Sequence, residues 1–117
     1  MKYLLLSYQN EKAWAELSAA DRQAFYADFG PLREQIVKNG NYVAAEKLQD
    51  TATATTVRVR DGKPLLTDGP FAETREQLGG FFLVEAKDLD EATAIAARIP
   101  IARIGSIEVR PIDPMRN

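Results

Sequence analysis

One acid stands out by its setting. Asp68 sits inside Thr67-Asp68-Gly69-Pro70-Phe71, and the mixed charges Glu73, Arg75 and Glu76 come soon after. A carboxylate at a strand end beside a stiff Gly-Pro turn, partly buried, would have a raised pKa and could serve as a general base. The competing expectation is that its side chain simply caps the turn. Gly69 is expected in a backbone conformation closed to other residues. Pro70 stiffens the chain at the turn, and Phe71 is expected to plug the core or a dimer interface. Glu73 and its neighbours suit either a polar ligand or a solvated loop face. Arg58, Arg60 and Arg110 fall on strand faces, where a guanidinium can grip a carboxylate ligand bidentately. Cross-strand pairing of Arg58 or Arg110 with Glu85 or Glu108 would occupy them equally well.

Two absences bound the chemistry. The 117 residues contain no His and no Cys. Imidazole and thiol are therefore missing as base, nucleophile or metal ligand, and neither Ser-His-Asp nor Cys-His machinery can be built from this chain alone. Disulfides, zinc–thiolate sites and iron–sulfur ligation are excluded with them. Carboxylates, Lys, Arg, Tyr, hydroxyls and backbone N–H groups remain. Oxygen-only metal binding needs a density of carboxylates that the spacing does not offer. Gly79-Gly80 lacks the spacing of a phosphate loop and fits a packing gap or a strand bulge instead. The expectation is no metal and no cofactor.

These groups must be held by a single domain, residues 1–117. Hydrophobic residues make up 45% and charged residues 27%, the balance of an ordinary globular protein. The net charge is −2 and the signs are interspersed, so no basic patch predicts a nucleic-acid partner. The apolar run at Tyr3-Leu4-Leu5-Leu6 is too short for a membrane span or a signal-peptide core. A cytoplasmic protein without membrane contact is expected.

Periodicity places the elements. Lys2–Tyr8 reads as a buried first strand, with a turn or short helix around Trp14. Ser18 is an N-cap with Asp21 three residues on. Phe25, Phe29, Leu32 and Ile36 form a helical stripe, and Pro31 predicts a kink or two consecutive helices before Gly40 ends the run. Tyr42–Leu48 reads as a second strand. Thr55–Arg60 and Lys63–Thr67 flank Asp61-Gly62, a strong two-residue hairpin signal, and Pro64 marks the return limb as an edge. Phe81–Ala86 is a strongly apolar strand. Asp88 with Glu91 opens a helix whose buried face is Leu89, Ala92, Ile95, Ala96 and Ile99, ending at Pro100. Ser106–Ile112 is the last strand, and 113–117 a frayed tail.

The order predicts an α+β fold of ferredoxin-like βαββαβ type, with an antiparallel sheet and an extra hairpin limb. Tyr3/Leu5 or Leu4/Leu6, with Phe81/Leu83 or Phe82/Val84, put apolar residues on both sheet faces. The helices cover one face; a second copy of the chain is the simplest cover for the other. A homodimer is expected.

Thr67-Asp68-Gly69-Pro70-Phe71-Ala72-Glu73-Thr74, followed by Glu76-Gln77-Leu78-Gly79-Gly80-Phe81, resembles the DGPF branch of the YCII-related proteins. Ala54-Thr55-Thr56-Val57-Arg58 and Gly105-Ser106-Ile107-Glu108-Val109-Arg110-Pro111 are similar to it too, so the likeness spans nearly the whole chain. The resemblance implies a dimeric α+β barrel, a bacterial cytosolic setting and, by frequent association, extracytoplasmic-function sigma factors. No established reaction comes with it. The wider group is suspected of activity around a His–Asp pair; here only the acid has a counterpart, at Asp68.

Two functions are therefore expected to compete. One is a non-catalytic dimeric module binding a small molecule or a protein partner, with Arg58, Gly69, Pro70, Phe71 and Glu73 as ligand-binding candidates. The other is a cofactor-free enzyme acting on a small polar or aromatic molecule, in a cleft between the first helix and the sheet. Asp68 would be its catalytic acid/base and Arg58 the holder of an anionic group.

Overall fold

The computed structural model of the chain describes residues 1–115; residues 116 and 117 of the expected tail lie outside the described residues. Among the described residues, strands and helices run in the order β1 (Lys2–Gln9), α1 (Glu11–Glu16), α2 (Ala19–Ala27), α3 (Phe29–Lys38), β2 (Tyr42–Lys47), β3 (Thr55–Arg60), β4 (Lys63–Asp68), β5 (Gln77–Glu85), α4 (Leu89–Ala97) and β6 (Ser106–Pro111). Four strands form one antiparallel sheet in the order β2-β5-β1-β6, the strand order of a ferredoxin-like α+β fold. The insertion is larger than one limb. Both β3 and β4 leave the main sheet and, among the described residues, pair only with each other.

Alternation decides the faces. Tyr3, Leu5, Phe82 and Val84 point to the helices and are buried with Leu32, Ile36, Ala92, Ile95 and Ile99. Leu4 and Leu6 pair with Leu83 and Phe81 on the opposite face, which no helix of the described residues covers. Of the expected helix stripes, only Leu89 fails: it is 52% exposed. It sits at the first position of α4, before the helix turns its row onto the sheet.

The helix caps are as the sequence predicts. Ser18 Oγ accepts from Asp21 N–H, and an Asp88 carboxylate oxygen accepts from Glu91 N–H. The break between α2 and α3 falls at Asp28, and Pro31 then lies in the first turn of α3, where no intrahelical partner is lost. Asp61 and Gly62, with φ of 51° and 74°, form the tight hairpin turn. Among the described residues no helix is long and apolar enough to cross a membrane.

Candidate functional site

Two hollows lie on opposite faces of the main sheet. The first, of about 360 Å³, opens between α1–α3 and the helix-side face of β1, β2 and β5. Its floor results from missing side chains. β5 carries a bulge where Ser7 pairs with Gly80 and Tyr8 with Leu78, leaving Gly79 unpaired. A Cβ on Gly80 would come within 2.8 Å of the Glu46 carbonyl oxygen, so β5 approaches β2 there only with glycine. Both expectations for Gly79-Gly80 are met at once: a bulge, and a gap in the packing above it.

The walls are aromatic. Trp14 meets Tyr26 edge-on with ring centres 5.6 Å apart, Tyr26 lies 6.3 Å from Phe29, and Phe29 stacks on Phe82 at 6.5 Å. Trp14 is positioned by a knot at the start of α1. Asn10 caps the helix by accepting from Ala13 N–H at 2.8 Å, and its Nδ2 donates to the Arg75 carbonyl at 3.1 Å. Glu11 N–H donates to Gln77 Oε1 at 2.9 Å, while the Glu11 carboxylate accepts from Thr51 N–H and Thr51 Oγ1. The segment after the Asp68 turn thus anchors the cleft wall from outside.

Polar groups lie at the rim and the inner end. Arg33 holds its guanidinium 4.8 Å from the Tyr42 ring centre, and Lys47 and Glu46 border the β2 side. Ser7 and Gln9 fall on the helix-facing side of β1 and line the cleft. Gln9 Oε1 is buried with no hydrogen-bond partner among the described residues. An unpaired amide oxygen costs about 1–3 kcal/mol.

The second hollow, about 630 Å³, lies between the hairpin and the uncovered sheet face, bordered by Tyr8, Leu78, Pro70, Phe71 and the threonines of the β2–β3 connection. It is larger, yet its walls are mostly loop. The cleft has rings and polar groups converging from helices and strands, which is the composition of a ligand site. On the same open face Tyr8 donates to Glu108 Oε1 at 3.2 Å, and Glu108 is paired with Arg110. Burial, then the Glu108 charge and hydrogen bond, push the Tyr8 phenol above its ordinary pKa. The Arg110 hydrogen bond holds the Glu108 carboxyl below its own.

The sequence-predicted residues gather elsewhere. Asp68 ends β4 exposed to solvent and borders neither hollow. Among the described residues its side chain makes no capping hydrogen bond to the turn; Gly69 N–H donates to the Ala54 carbonyl at 2.7 Å and Thr56 Oγ1 to the Gly69 carbonyl at 2.8 Å. Gly69 adopts φ of 100°, which favours glycine alone. Phe71 is 79% exposed rather than a core plug. Arg58 reaches toward the Phe71 carbonyl at 3.5 Å, and Arg110 pairs along its own strand with Glu108 rather than across strands. Glu73 is exposed. Pro70 and Phe71 border the second hollow; none of these seven residues enters the cleft.

Sequence reasoning does not single out Gln9, Trp14 or Arg33. One signal was available: Tyr26, Gly30 and Arg33 recur at intervals of four and three, a row beside the apolar stripe.

The strand order and the helix-side cleft define a ferredoxin-like α+β protein with a preformed hollow. The YCII-related domain family matches residues 1–116, and the chain belongs to that family. It is also similar to an uncharacterised protein of Rhizobium meliloti (strain 1021), 35% identical over 114 residues, covering 96% of this chain and 92% of the relative.

Proposed function

We propose that this protein is a small-molecule-binding module, working in the cytoplasm as a homodimer, with the helix-side cleft as its ligand site. One observation carries the reading: a hollow of about 360 Å³ whose floor is kept free of side chains while four aromatic rings close around it. Filling such a gap would stabilise the core, so an open one fits a site maintained for an occupant. The uncovered Leu4, Leu6, Phe81 and Leu83 face supports the dimer. The sigma-factor setting rests on the DGPF resemblance alone.

Trp14 is the chain's one tryptophan and borders the cleft, so its fluorescence reports occupancy. In a thermal-shift screen of metabolites, a true ligand raises the melting temperature and perturbs Trp14. At about 100 times Kd it stabilises by roughly 2.7 kcal/mol. Ser7→Phe, which fills the floor, should abolish both signals. A ligand bound equally by that variant would refute the cleft as the site. For the dimer, light scattering should give twice 13.0 kDa, and Leu6→Glu should return the mass to 13.0 kDa. A wild-type particle of 13.0 kDa would refute the dimer.

A further inference from the structure

The cleft's chemistry also selects a ligand class, an inference that rests on the cleft being the ligand site. Stacked and edge-on rings at Trp14, Tyr26, Phe29 and Phe82 favour a planar apolar body. The volume suits one or two fused rings. Two cations, Arg33 and Lys47, border the cleft with Glu46 beside them. Neither makes an ion pair among the described residues, so both are available to an anionic group. Arg33 is pre-oriented by its stacking on Tyr42, which leaves the fork of the guanidinium free. At the inner end, Gln9 lines the cleft and its buried Oε1 has no donor among the described residues.

We propose that the cleft takes a one- or two-ring aromatic carboxylate bearing a ring hydroxyl or N–H. The ring lies among Trp14, Phe29 and Phe82, the carboxylate pairs with Arg33, and the ring donor meets Gln9. Each group answers one feature of the site, and no other group on the ligand is required.

The test is titration of Trp14 fluorescence, checked by calorimetry, with benzoate, 4-hydroxybenzoate, 3-hydroxybenzoate and 2-naphthoate against phenol and cyclohexanecarboxylate. At least one aromatic carboxylate should bind ten-fold or more tightly than phenol and cyclohexanecarboxylate. Arg33→Gln should remove that ten-fold advantage over phenol. Arg33 is exposed, so this variant should keep the wild-type melting temperature. Gln9→Leu should weaken the hydroxybenzoates several-fold and leave benzoate unchanged. If phenol binds as well as the carboxylates, and Ser7→Phe abolishes both, the carboxylate assignment falls and the cleft survives. If carboxylates bind but Ser7→Phe leaves their affinity intact, the cleft itself falls. No binding by any aromatic carboxylate in the series overturns the ligand class.

Discussion

The main sheet and the β3–β4 hairpin are written in similar strand language but have different fates. β1 and β5 place Leu5 and Val84 at 0% exposure, whereas Val57, Val59 and Leu66 in the hairpin are 59%, 61% and 68% exposed. The hairpin is held by its own ladder and by Gly69 and Thr56 at its base. Strand propensity makes a strand; only a packed face makes it part of a core. The cleft belongs to the first region and the DGPF turn to the second, which is why the conspicuous motif and the best hollow do not coincide.

The sharpest way to break the contrast is a pair of substitutions. Leu5→Ala should cost about 2–5 kcal/mol in urea unfolding, as buried leucines do. Leu66→Ser should cost within about 0.5 kcal/mol. A comparable loss in both would show that the hairpin packs against a second copy. Next, Gly105→Ala places a Cβ within 2.0 Å of the Tyr8 carbonyl oxygen, and Gly80→Ala meets Glu46 at 2.8 Å. Each should cost about 1–3 kcal/mol, the Gly105 variant more. Gly62→Ala in the hairpin faces no contact and should lose only the cost of its positive φ, about 1 kcal/mol.

A smaller effect is expected from Asn10→Ala, which removes the α1 cap and its tie to Arg75: about 1 kcal/mol, with a shifted Trp14 emission. Asp68→Asn should leave Trp14-detected binding in the cleft unchanged, and a loss of binding would join the two regions functionally.

The smallest effect is electrostatic. The Glu108 carboxyl is depressed in the folded protein, so its stabilisation is present above its ordinary 4.5 and is lost as pH falls through the lower folded value. The Tyr8 phenol is raised, so its contribution is present below 10.0 and is lost as pH climbs through the higher folded value. Ultraviolet titration should show the Tyr8 phenol titrating above 10.0, and Glu108→Gln should move it part of the way back, since burial remains.

Much of the fold was legible because local rules wrote it. Ser18, Asp88 and Asp61-Gly62 stop and start elements through their own side chains and backbone, and those interactions act within three or four residues. Leu89 misled for the opposite reason: an apolar side chain is buried only if another element arrives to cover it. The hairpin's exclusion from the sheet was hidden in the same way. β2 and β3 are both plausible neighbours for β5 in sequence; in the fold it is β2 that pairs with β5, its backbone at Glu46 packed close against Gly80.

By itself the sequence determined the inventory: no imidazole, no thiol, an α+β order, the element ends and the bulge-prone glycine pair. Those depend on composition and on short-range backbone preference, which any chain carries before it folds. Tertiary structure alone decided that Gln9, Trp14 and Arg33, from a strand and two helices, share one cleft while Asp68 stands outside it. Convergence of that kind depends on how elements pack, and packing is settled by the whole core at once.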